Sequence, residues 1–330
     1  MRILVAGGSG FIGSHLCEHL LSSPRDEVLC IDNLATGRLR NIDSLLASPR
    51  FQLIEHDIIE PLPPLPHIDR VYHLASPASP VGYQDHPIET LRVNSEGTRR
   101  LLELCAEHQA RFLYASTSEI YGDPLEHPQR EDYRGNVSST GPRSMYDEAK
   151  RFGEAFTTAF ARQHTLDARI VRIFNTYGPR SDPHDGRIVP NFISYALIGQ
   201  PLDIYGDGLQ TRSLCFVRDL VDGLIRAMEF SGTRGQVLNL GNPEEHTVIE
   251  FAHIIQRLTG TSTGLRYRPP AVGDDPQRRC PDISKARQLL GWAPATTLDE
   301  GLAETIADVR HALEVQASAT AANAHATTAR

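Results

Sequence analysis

Short runs of apolar and β-branched residues alternate with longer amphipathic stretches through the first half of the chain. We predict strands at residues 2–6, 27–31, 51–55, 70–74, 111–116 and 168–173, with helices between them. Strands that alternate with helices predict a parallel sheet covered on both faces, because right-handed crossovers place the helices there. The predicted class is therefore α/β, a Rossmann-like doubly wound parallel sheet.

The pattern loosens after Phe174. Pro- and Gly-rich segments at 176–186 and 269–281 separate shorter helices and strands, which predicts a smaller C-terminal α/β region beside the first domain. From about Val315 the chain is mainly Ala, Thr and Ser without periodicity, a composition that predicts a disordered tail. The predicted organisation is a domain at 1–174, a second region at 175–314 and a tail at 315–330.

The composition is that of an ordinary globular protein. The 330 residues carry a formal net charge of -8, and Lys and Arg are scattered along the chain, which argues against a nucleic-acid surface. No apolar run approaches the roughly 20 residues of a membrane span. We therefore expect neither a nucleic-acid nor a membrane partner.

The spacing of the cysteines argues against disulfides and a Cys-based metal site. The five cysteines are odd in number, widely spaced and free of C-x-x-C pairs, so we expect reduced thiols in a cytoplasm. For the 14 histidines we expect solvated or capping roles rather than metal binding. The prediction is a cytoplasmic protein without a metal.

A glycine-rich turn follows the first predicted strand. Residues 3–15 are ILVAGGSGFIGSH, with Gly7, Gly10 and Gly13 at three-residue spacing before an amphipathic helix. A turn without Cβ atoms lets backbone N–H groups reach a pyrophosphate at a helix N-terminus, where the macrodipole favours negative charge. Glycines are common in any turn, so the inference depends on the strand and helix around them. We predict a dinucleotide site that includes Phe11 and Ile12.

An acidic residue at the end of the second predicted strand selects the dinucleotide. Asp32 lies 19 residues beyond Gly13, where a carboxylate accepts hydrogen bonds from both ribose hydroxyls and repels a 2′-phosphate. This favours NAD, with Asn33 beside the acid. Arg38 leaves NADP as an alternative, because a basic residue in the same loop could neutralise a 2′-phosphate.

Further candidate residues follow the third and fourth predicted strands. Ligands of open parallel sheets bind at the carboxyl ends of the strands. Each residue taken singly is equally well explained as part of an ordinary loop, but the series fits a dinucleotide lying across the sheet edge. The residues are Asp57, Ile58, Leu74, Ala75 and Ser76.

Candidate reacting groups lie at and beyond the fifth predicted strand. Tyr146 and Lys150 form a Tyr-x-x-x-Lys pair that begins 29 residues after Thr117. Positions i and i+4 share a helix face, so we expect the Lys150 ammonium to lower the pKa of Tyr146 from its usual value of about 10. Such a phenol is a useful base near neutral pH. The spacing also occurs by chance on exposed helices, so its place after a hydroxyl-rich strand end supports the interpretation.

Seven segments together resemble one enzyme family. The chain is similar to UDP-glucuronate decarboxylases (UDP-xylose synthases) from residue 1 to near residue 310, in GGSGFIGSH, ASTSEIYGDP, GPRSMYDEAKR, RIFNTYGPR, DGRIVPNFI, YGDGLQTRSLCFVRDL and DDPQRRCPDI. The glycine-rich turn and Tyr-x-x-x-Lys are shared by all extended short-chain dehydrogenases and identify only that superfamily. The segments around Thr117, Arg143 and Arg279 are more discriminating.

The resemblance implies a mechanism. Tyr146 would take the proton of the sugar C4 hydroxyl as a hydride passes to NAD, giving a 4-keto sugar that loses CO2. Protonation at C5 and return of the hydride to C4 would then regenerate NAD. Thr117 or Ser118 would bind the C4 oxygen, and Lys150 would hold the cofactor ribose. Glu119 would orient the sugar ring or a proton-donating water.

The resemblance also assigns the binding of the nucleotide sugar. Region 1–174 would bind NAD, and region 175–314 would be the substrate-binding region. Arg279 matches a family arginine that faces the reacting end of the sugar, although Cys280 stands where lysine is more usual. The nucleotide, UDP or dTDP, stays open. Five further residues fall in segments that bind the diphosphate, nucleoside or cofactor, namely Asn175, Arg187, Asn191, Tyr205 and Arg212.

Three alternatives remain. Nucleotide-glucose 4,6-dehydratases resemble one another in an Asp-Glu pair after the threonine, whose Asp supplies a proton for water loss, whereas this chain has Ser118 and Glu119. Sugar 4-epimerases lack the Glu, so Glu119 disfavours them. A non-catalytic dinucleotide sensor would have no reason to keep Thr117, Tyr146 and Lys150 together.

The resemblance suggests a homodimer built from two helices per subunit, near residues 93–107 and 144–162. Their apolar positions include Leu101, Leu102, Phe156 and Phe160. Covering one face of the sheet within the subunit would explain the same residues, so both interpretations stand.

Overall fold

A seven-stranded parallel sheet forms the centre of the molecule. The structure, a computed structural model, describes residues 1–183, 186–269 and 278–328, with side chains described to residue 315. In chain order the strands are β1 (Arg2–Ala6), β2 (Glu27–Asp32), β3 (Phe51–Glu55), β4 (Arg70–His73), β5 (Arg111–Thr117), β6 (Ala168–Ile173), β7 (Thr176–Tyr177), β8 (Leu202–Tyr205), β9 (Thr211–Ser213), β10 (Cys215–Phe216), β11 (Val237–Leu240), β12 (Glu245–Thr247) and β13 (Leu265–Arg268). The order across the central sheet is β11-β6-β5-β4-β1-β2-β3.

The six strands predicted for the first half are all present, with ends that differ from the prediction by at most one residue. The seventh strand, β11, is not predicted, because its four residues VLNL are too short to stand out among the apolar runs of the second half. It pairs with β6 in parallel, Val237 opposite Ile170. A strand from beyond residue 174 therefore completes the sheet of the predicted first domain.

Helices cover both faces of this sheet. The α-helices of the described residues are α1 (Phe11–Ser22), α2 (Asp43–Leu46), α3 (Pro80–Asp85), α4 (Pro87–Arg92), α5 (Thr98–His108), α6 (Ser144–His164), α7 (Ile188–Leu197), α8 (Val217–Glu229), α9 (Val248–Thr259), α10 (Ser284–Leu290) and α11 (Leu298–Thr328). Side chains of β1 alternate between two cores: Ile3 and Val5 pack with α1 and α8, and Leu4 and Ala6 pack with α5. This confirms the predicted doubly wound α/β class.

The remaining elements of the second half form a smaller α/β region. Three two-stranded sheets, β7 with β10, β8 with β13 and β9 with β12, lie among its elements, and α7 packs against α9 and α11. The prediction of a disordered tail from about Val315 differs from the structure, in which α11 continues to Thr328. Alanine has the highest helix propensity of the residues, so an alanine-rich run favours continuation of a helix.

The described residues show no helix whose length and apolar character would suffice to cross a membrane. All five cysteines are buried and unpaired.

Candidate active site

The glycine-rich turn after β1 is packed against the strand end of β4. Gly7 has a φ of +81°, and a Cβ there would lie 2.7 Å from the backbone nitrogen of Ala75. A Cβ on Gly13 would lie 2.0 Å from the carbonyl oxygen of Gly7, so α1 can approach the turn only with glycine at that position. No side chain caps α1 at Gly10. The first N–H groups of α1 are thus suited to receive a phosphate.

An open pocket lies at the carboxyl edge of β1, β2, β3 and β4. Phe11, Ile12 and Gly13 are not among its lining residues, because they begin α1 behind the turn, and Tyr146 and Lys150 are likewise not among them. Nine of the predicted cofactor residues line the pocket, namely Gly7, Gly10, Asp32, Asn33, Asp57, Ile58, Leu74, Ala75 and Ser76. The residues at this edge therefore fit a dinucleotide of the expected kind.

Asp32 is held rigidly at this pocket. Its Oδ2 accepts the Ser9 N–H at 3.0 Å and its Oδ1 accepts the Leu34 N–H at 2.9 Å. Each carboxylate oxygen keeps a further lone pair for a ribose hydroxyl. Arg38 is ion-paired with Asp182. The negative charge of Asp182 offsets the positive charge that Arg38 would have to offer a 2′-phosphate. Both observations favour NAD over NADP.

Thr117, Tyr146 and Lys150 meet beside the end of β5. Tyr146 lies in the first turn of α6 and is 5% exposed, and the Thr117 side chain is near enough to its hydroxyl to lower its pKa. The Lys150 Nζ lies 5.9 Å from the centre of the Tyr146 ring and donates to the carbonyl oxygen of Ala115 at 2.9 Å. The predicted pairing on one face of a helix is therefore present.

The expected effect on the tyrosine pKa is wrong for this structure. Burial raises the pKa of Tyr146, and the Thr117 hydrogen bond and the charge of Arg187 offset only part of that rise. Burial also lowers the pKa of Lys150 to about 7, against the opposing charge of Glu154. Burial disfavours the charged form of each group. Tyr146 is therefore held as the neutral phenol, and the Lys150 ammonium loses its proton more readily than usual.

Glu119 lies at the centre of a buried ion cluster. It follows Ser118 in a 3-10 turn, Ser118–Tyr121, at the end of β5. The Arg279 Nη2 donates to Glu119 Oε2 at 2.8 Å, and Arg143 donates to the same carboxylate. Burial by itself raises the pKa of Glu119, but the charges of Arg279, Arg143 and Arg212 outweigh it and hold the pKa below its usual range.

The structure brings only part of the predicted substrate set to this cluster. Arg187 acts electrostatically on Tyr146, and Arg212 on Glu119. No described contact joins the other three residues to the reacting groups. Asn175 accepts the Cys215 N–H through its carbonyl oxygen, Asn191 lies in the first turn of α7, and Tyr205 ends β8 with a 51% exposed side chain. Their predicted roles stay predictions.

Two buried residues of the site are not predicted from the sequence. The Tyr83 ring stacks on the Tyr146 ring, with centres 5.0 Å apart and planes 10° apart. Burial raises the pKa of Tyr83 to about 12, so it stays protonated. Asp147 lies 3.9 Å from the Arg143 guanidinium, and its Oδ1 has no hydrogen-bond partner among the described residues. The one sign in the sequence that Asp147 belongs to the site is its position directly after Tyr146.

Asp147 predicts a pH-dependent stability. Burial and the charge of Glu119 raise the pKa of Asp147 to about 7, against the opposing charge of Arg143. Folding therefore takes up a proton between about pH 4 and pH 7, and this residue's contribution to stability falls as pH rises through that window. Because asparagine cannot ionise, Asp147→Asn should stabilise the protein, and the gain should grow by about 2–3 kcal/mol from pH 5 to pH 8.

Chemical denaturation of both proteins at pH 5 and pH 8 measures this difference. Asp132→Asn, at an exposed position, is the matched control and should show no comparable growth. An equal effect of Asp147→Asn at the two pH values would contradict the prediction.

Comparison with known proteins first identifies the class. The sequence model of the NAD dependent epimerase/dehydratase family matches residues 3–241, so the chain belongs to this family. Within it, the chain is similar to curated UDP-glucuronic acid decarboxylases. UDP-glucuronic acid decarboxylase 1 of Danio rerio is 49% identical over 96% of this chain and 74% of the relative, and UDP-glucuronic acid decarboxylase 3 of Arabidopsis thaliana is 49% identical over 96% of this chain and 91% of the relative.

Solved structures support the same fold. UDP-glucuronic acid 4-epimerase of Bacillus cereus, in complex with UDP-glucuronic acid and NAD, matches with a TM-score of 0.85 and 31% identity over 94% of this chain and 99% of that chain. UDP-glucose 4-epimerase of Thermotoga maritima, with UDP-glucose, matches with a TM-score of 0.85 and 30% identity over 95% of this chain and 100% of that chain. The expected family, fold and NAD dependence are confirmed.

Proposed function

We propose that this chain decarboxylates UDP-glucuronate to UDP-xylose through a UDP-4-keto sugar and recycles NAD in each turnover. The observation that carries this proposal is the end of β5, where Thr117 meets Tyr146 while Arg143 and Arg279 hold Glu119. Ser118 stands where a dehydratase needs an acid to protonate a leaving hydroxyl. Loss of CO2 requires no such donor.

The first step is oxidation at the sugar C4. When bound, NAD supplies a hydride acceptor that is later the donor, and its oxidised ring adds a positive charge that favours a nearby phenolate. Tyr146 receives the proton of the C4 hydroxyl, and the neighbouring Thr117 hydroxyl is placed to hydrogen-bond the same oxygen. Lys150, anchored on Ala115, adds positive charge on the same side of the phenol.

Loss of CO2 follows because the sugar carboxylate is then β to a ketone. The C5–C6 bond breaks, and its electron pair forms an enolate whose charge lies largely on the C4 oxygen. The hydroxyl groups of Thr117 and Tyr146 can donate to that oxygen, so negative charge is stabilised where it develops. A water that Glu119 orients would then protonate C5, and the hydroxide left behind would be neutralised by solvent. Tyr146 would return its proton to the C4 oxygen as C4 is reduced, which gives the xylose product.

The ion cluster explains why the carboxylate is able to leave. A substrate carboxylate bound tightly by an arginine would be stabilised before the reaction and would leave more slowly. Glu119 neutralises part of the charge of Arg279 and Arg143 through direct ion pairs. Arg279 and Arg143 thus still attract the negatively charged substrate, but each is already paired with Glu119 and does not form a strong ion pair with the carboxylate that leaves.

The test is incubation of the purified protein with UDP-glucuronate and catalytic NAD, with CO2 measured and the sugar nucleotide identified by mass. The expected result is CO2 and UDP-xylose with no net NADH. Conversion of UDP-glucuronate to its C4 epimer without CO2 would instead indicate the activity named for the Bacillus cereus neighbour. Turnover of a nucleotide hexose with loss of water would indicate a dehydratase. A parallel assay with the dTDP sugar decides the nucleotide.

A homodimer is part of the proposal. On α6, Phe152 is 50% exposed, and Phe156 and Phe160 are partly buried. Ile88 and Leu91 on the neighbouring α4 are 60% and 40% exposed. An exposed apolar stripe of this kind supports association. We name these five residues the α4/α6 stripe.

Leu101 and Leu102 cover one face of the sheet within the subunit and do not lie on its surface. Both are fully buried in the core under the sheet. They are therefore not part of the α4/α6 stripe.

A charge in the stripe should dissociate the proposed dimer. Phe152→Asp places a carboxylate in an apolar interface, which costs several kcal/mol unless it is paired. Sedimentation equilibrium should show a dimer for the wild type and a monomer for the variant. Leu125→Asp, at an 82% exposed position outside the stripe, should remain dimeric. A wild type that sediments as a monomer would refute the assembly.

We propose the cytoplasm as the location. Five buried, unpaired thiols support a reducing compartment. Cell fractionation with an antibody against the chain tests this, and recovery with a membrane or secreted fraction would contradict it.

A further inference from the structure

Three metal-binding side chains converge beside the segment that carries Arg279. His127, Glu245 and Cys280 each offer one ligand atom, and these atoms all lie within 4.8 Å of one another. The His127 Nε2 is 2.8 Å from the Glu245 Oε2, and Cys280 is 5% exposed. None of the three side chains has a role in the proposed reaction.

The backbone holds these residues in place. The Gln129 N–H donates to the Cys280 carbonyl oxygen at 2.8 Å, and the Cys280 N–H donates to the Gln129 Oε1 at 2.9 Å. Glu245 lies in β12, opposite Ser213 of β9. Because His127 and Glu245 are 118 residues apart in the chain, motif spacing could not reveal the cluster, and the sequence predicts no metal.

A further polar group points to a ligand at this cluster. Ser213 is 1% exposed, and its hydroxyl has no hydrogen-bond partner within normal geometry among the described residues. It interacts with the Cys280 thiol. A buried hydroxyl without a partner costs free energy, whereas a water bound to a metal would satisfy it.

We propose that His127, Glu245 and Cys280 form a site for Zn²⁺ or a similar borderline-soft divalent cation. Thiolate, imidazole and carboxylate are the three ligand types that zinc accepts, and a water would complete a tetrahedral set. Magnesium and calcium prefer oxygen ligands throughout and do not suit a thiol. The charge of Arg278 acts on both Glu245 and Cys280 and opposes the cation, but the two anionic ligands outweigh it.

The site is connected to the arginines of the reaction. Cys280 directly follows Arg279, which binds Glu119. The second oxygen of Glu245 accepts the hydroxyl of Thr211 at 2.6 Å, and Thr211 precedes Arg212. A bound cation would thus fix the two backbone segments that carry Arg279 and Arg212. This inference does not depend on the proposed substrate, since it concerns metal binding by the folded chain.

Metal binding to the full-length protein, first stripped with a chelator, tests the proposal. Zn²⁺ titrated against a chromophoric chelator should show one bound equivalent, and Co²⁺ should give the absorption of a cobalt–thiolate bond. The thermal midpoint should rise by several degrees with Zn²⁺, because the site exists only in the folded state.

The variants distinguish this site from adventitious binding. Cys280→Ser should lose the cobalt–thiolate absorption, and His127→Gln should weaken Zn²⁺ binding at least tenfold. Cys105→Ser, which removes a buried thiol outside the cluster, should bind like the wild type. His127→Gln keeps the test valid if the serine variant does not fold. Absence of the cobalt–thiolate band in the wild type, or equal Zn²⁺ binding by His127→Gln, overturns the proposal.

Discussion

Tyr146→Phe should lower the kcat for CO2 release about 10³-fold, equivalent to about 4 kcal/mol of transition-state stabilisation. The substitution removes the hydroxyl that exchanges the C4 proton and donates to the developing C4 oxyanion. The ring remains and stacks on the Tyr83 ring, with ring centres 5.0 Å apart, so the packing of the site should be preserved. Calorimetry of the NAD-loaded variant should therefore show UDP-glucuronate binding close to that of the wild type.

Tyr83→Phe is the matched control for this experiment. It preserves the stacked pair and removes a hydroxyl that stays protonated, because burial raises the pKa of Tyr83 to about 12. This variant should keep most of the kcat. Activity of Tyr146→Phe comparable to the wild type would remove Tyr146 from the reaction, and a complete loss is a result that a non-catalytic dinucleotide sensor cannot accommodate.

Glu119→Gln should separate binding from turnover. The variant removes the negative charge shared by Arg279 and Arg143, so these arginines should bind the substrate carboxylate more tightly. We expect kcat for CO2 release to fall about 10²-fold, while the Kd for UDP-glucuronate stays the same or decreases. The Kd for UDP-glucose, which lacks the carboxylate, should not decrease.

Stability must be measured alongside, because removal of one partner from a buried ion cluster costs about 3–5 kcal/mol. A thermal midpoint above the assay temperature shows that the variant is folded. Glu126→Gln, at an exposed position, controls for loss of a carboxylate elsewhere. Unchanged kcat in Glu119→Gln, or a weaker affinity for UDP-glucuronate with unchanged affinity for UDP-glucose, would refute the proposed neutralisation.

The parts of the site that sequence reasoning predicts are those whose chemistry is local. Gly13 is determined by a close backbone approach within one strand-turn-helix unit, and Gly7 by the positive φ of the same turn. Asp32 is determined by its place at a strand end. The Tyr146 and Lys150 side chains share a helix face for the same reason. Such features depend on a few neighbouring residues, so their pattern is visible without the fold.

The parts that sequence reasoning does not predict depend on burial and on distant segments. The pKa of Tyr146 rises because the whole site is desolvated, an effect that an isolated helix does not have. Tyr83 reaches Tyr146 from another helix, and Arg279 reaches Glu119 across 160 residues of chain. Arg279 is expected only through family resemblance, since no spacing rule connects residues so far apart.

The pairing of β11 with β6 also has a consequence for synthesis of the chain on the ribosome. Until residues 237–240 have been made, β6 is the outermost strand, with unpaired backbone groups and a nearly continuous row of buried-type side chains. An unpaired strand edge of this kind can pair with the same edge of another nascent chain and begin aggregation. Expression of a fragment that ends before residue 237 would thus yield a protein with an exposed sheet edge rather than an independent nucleotide-binding unit.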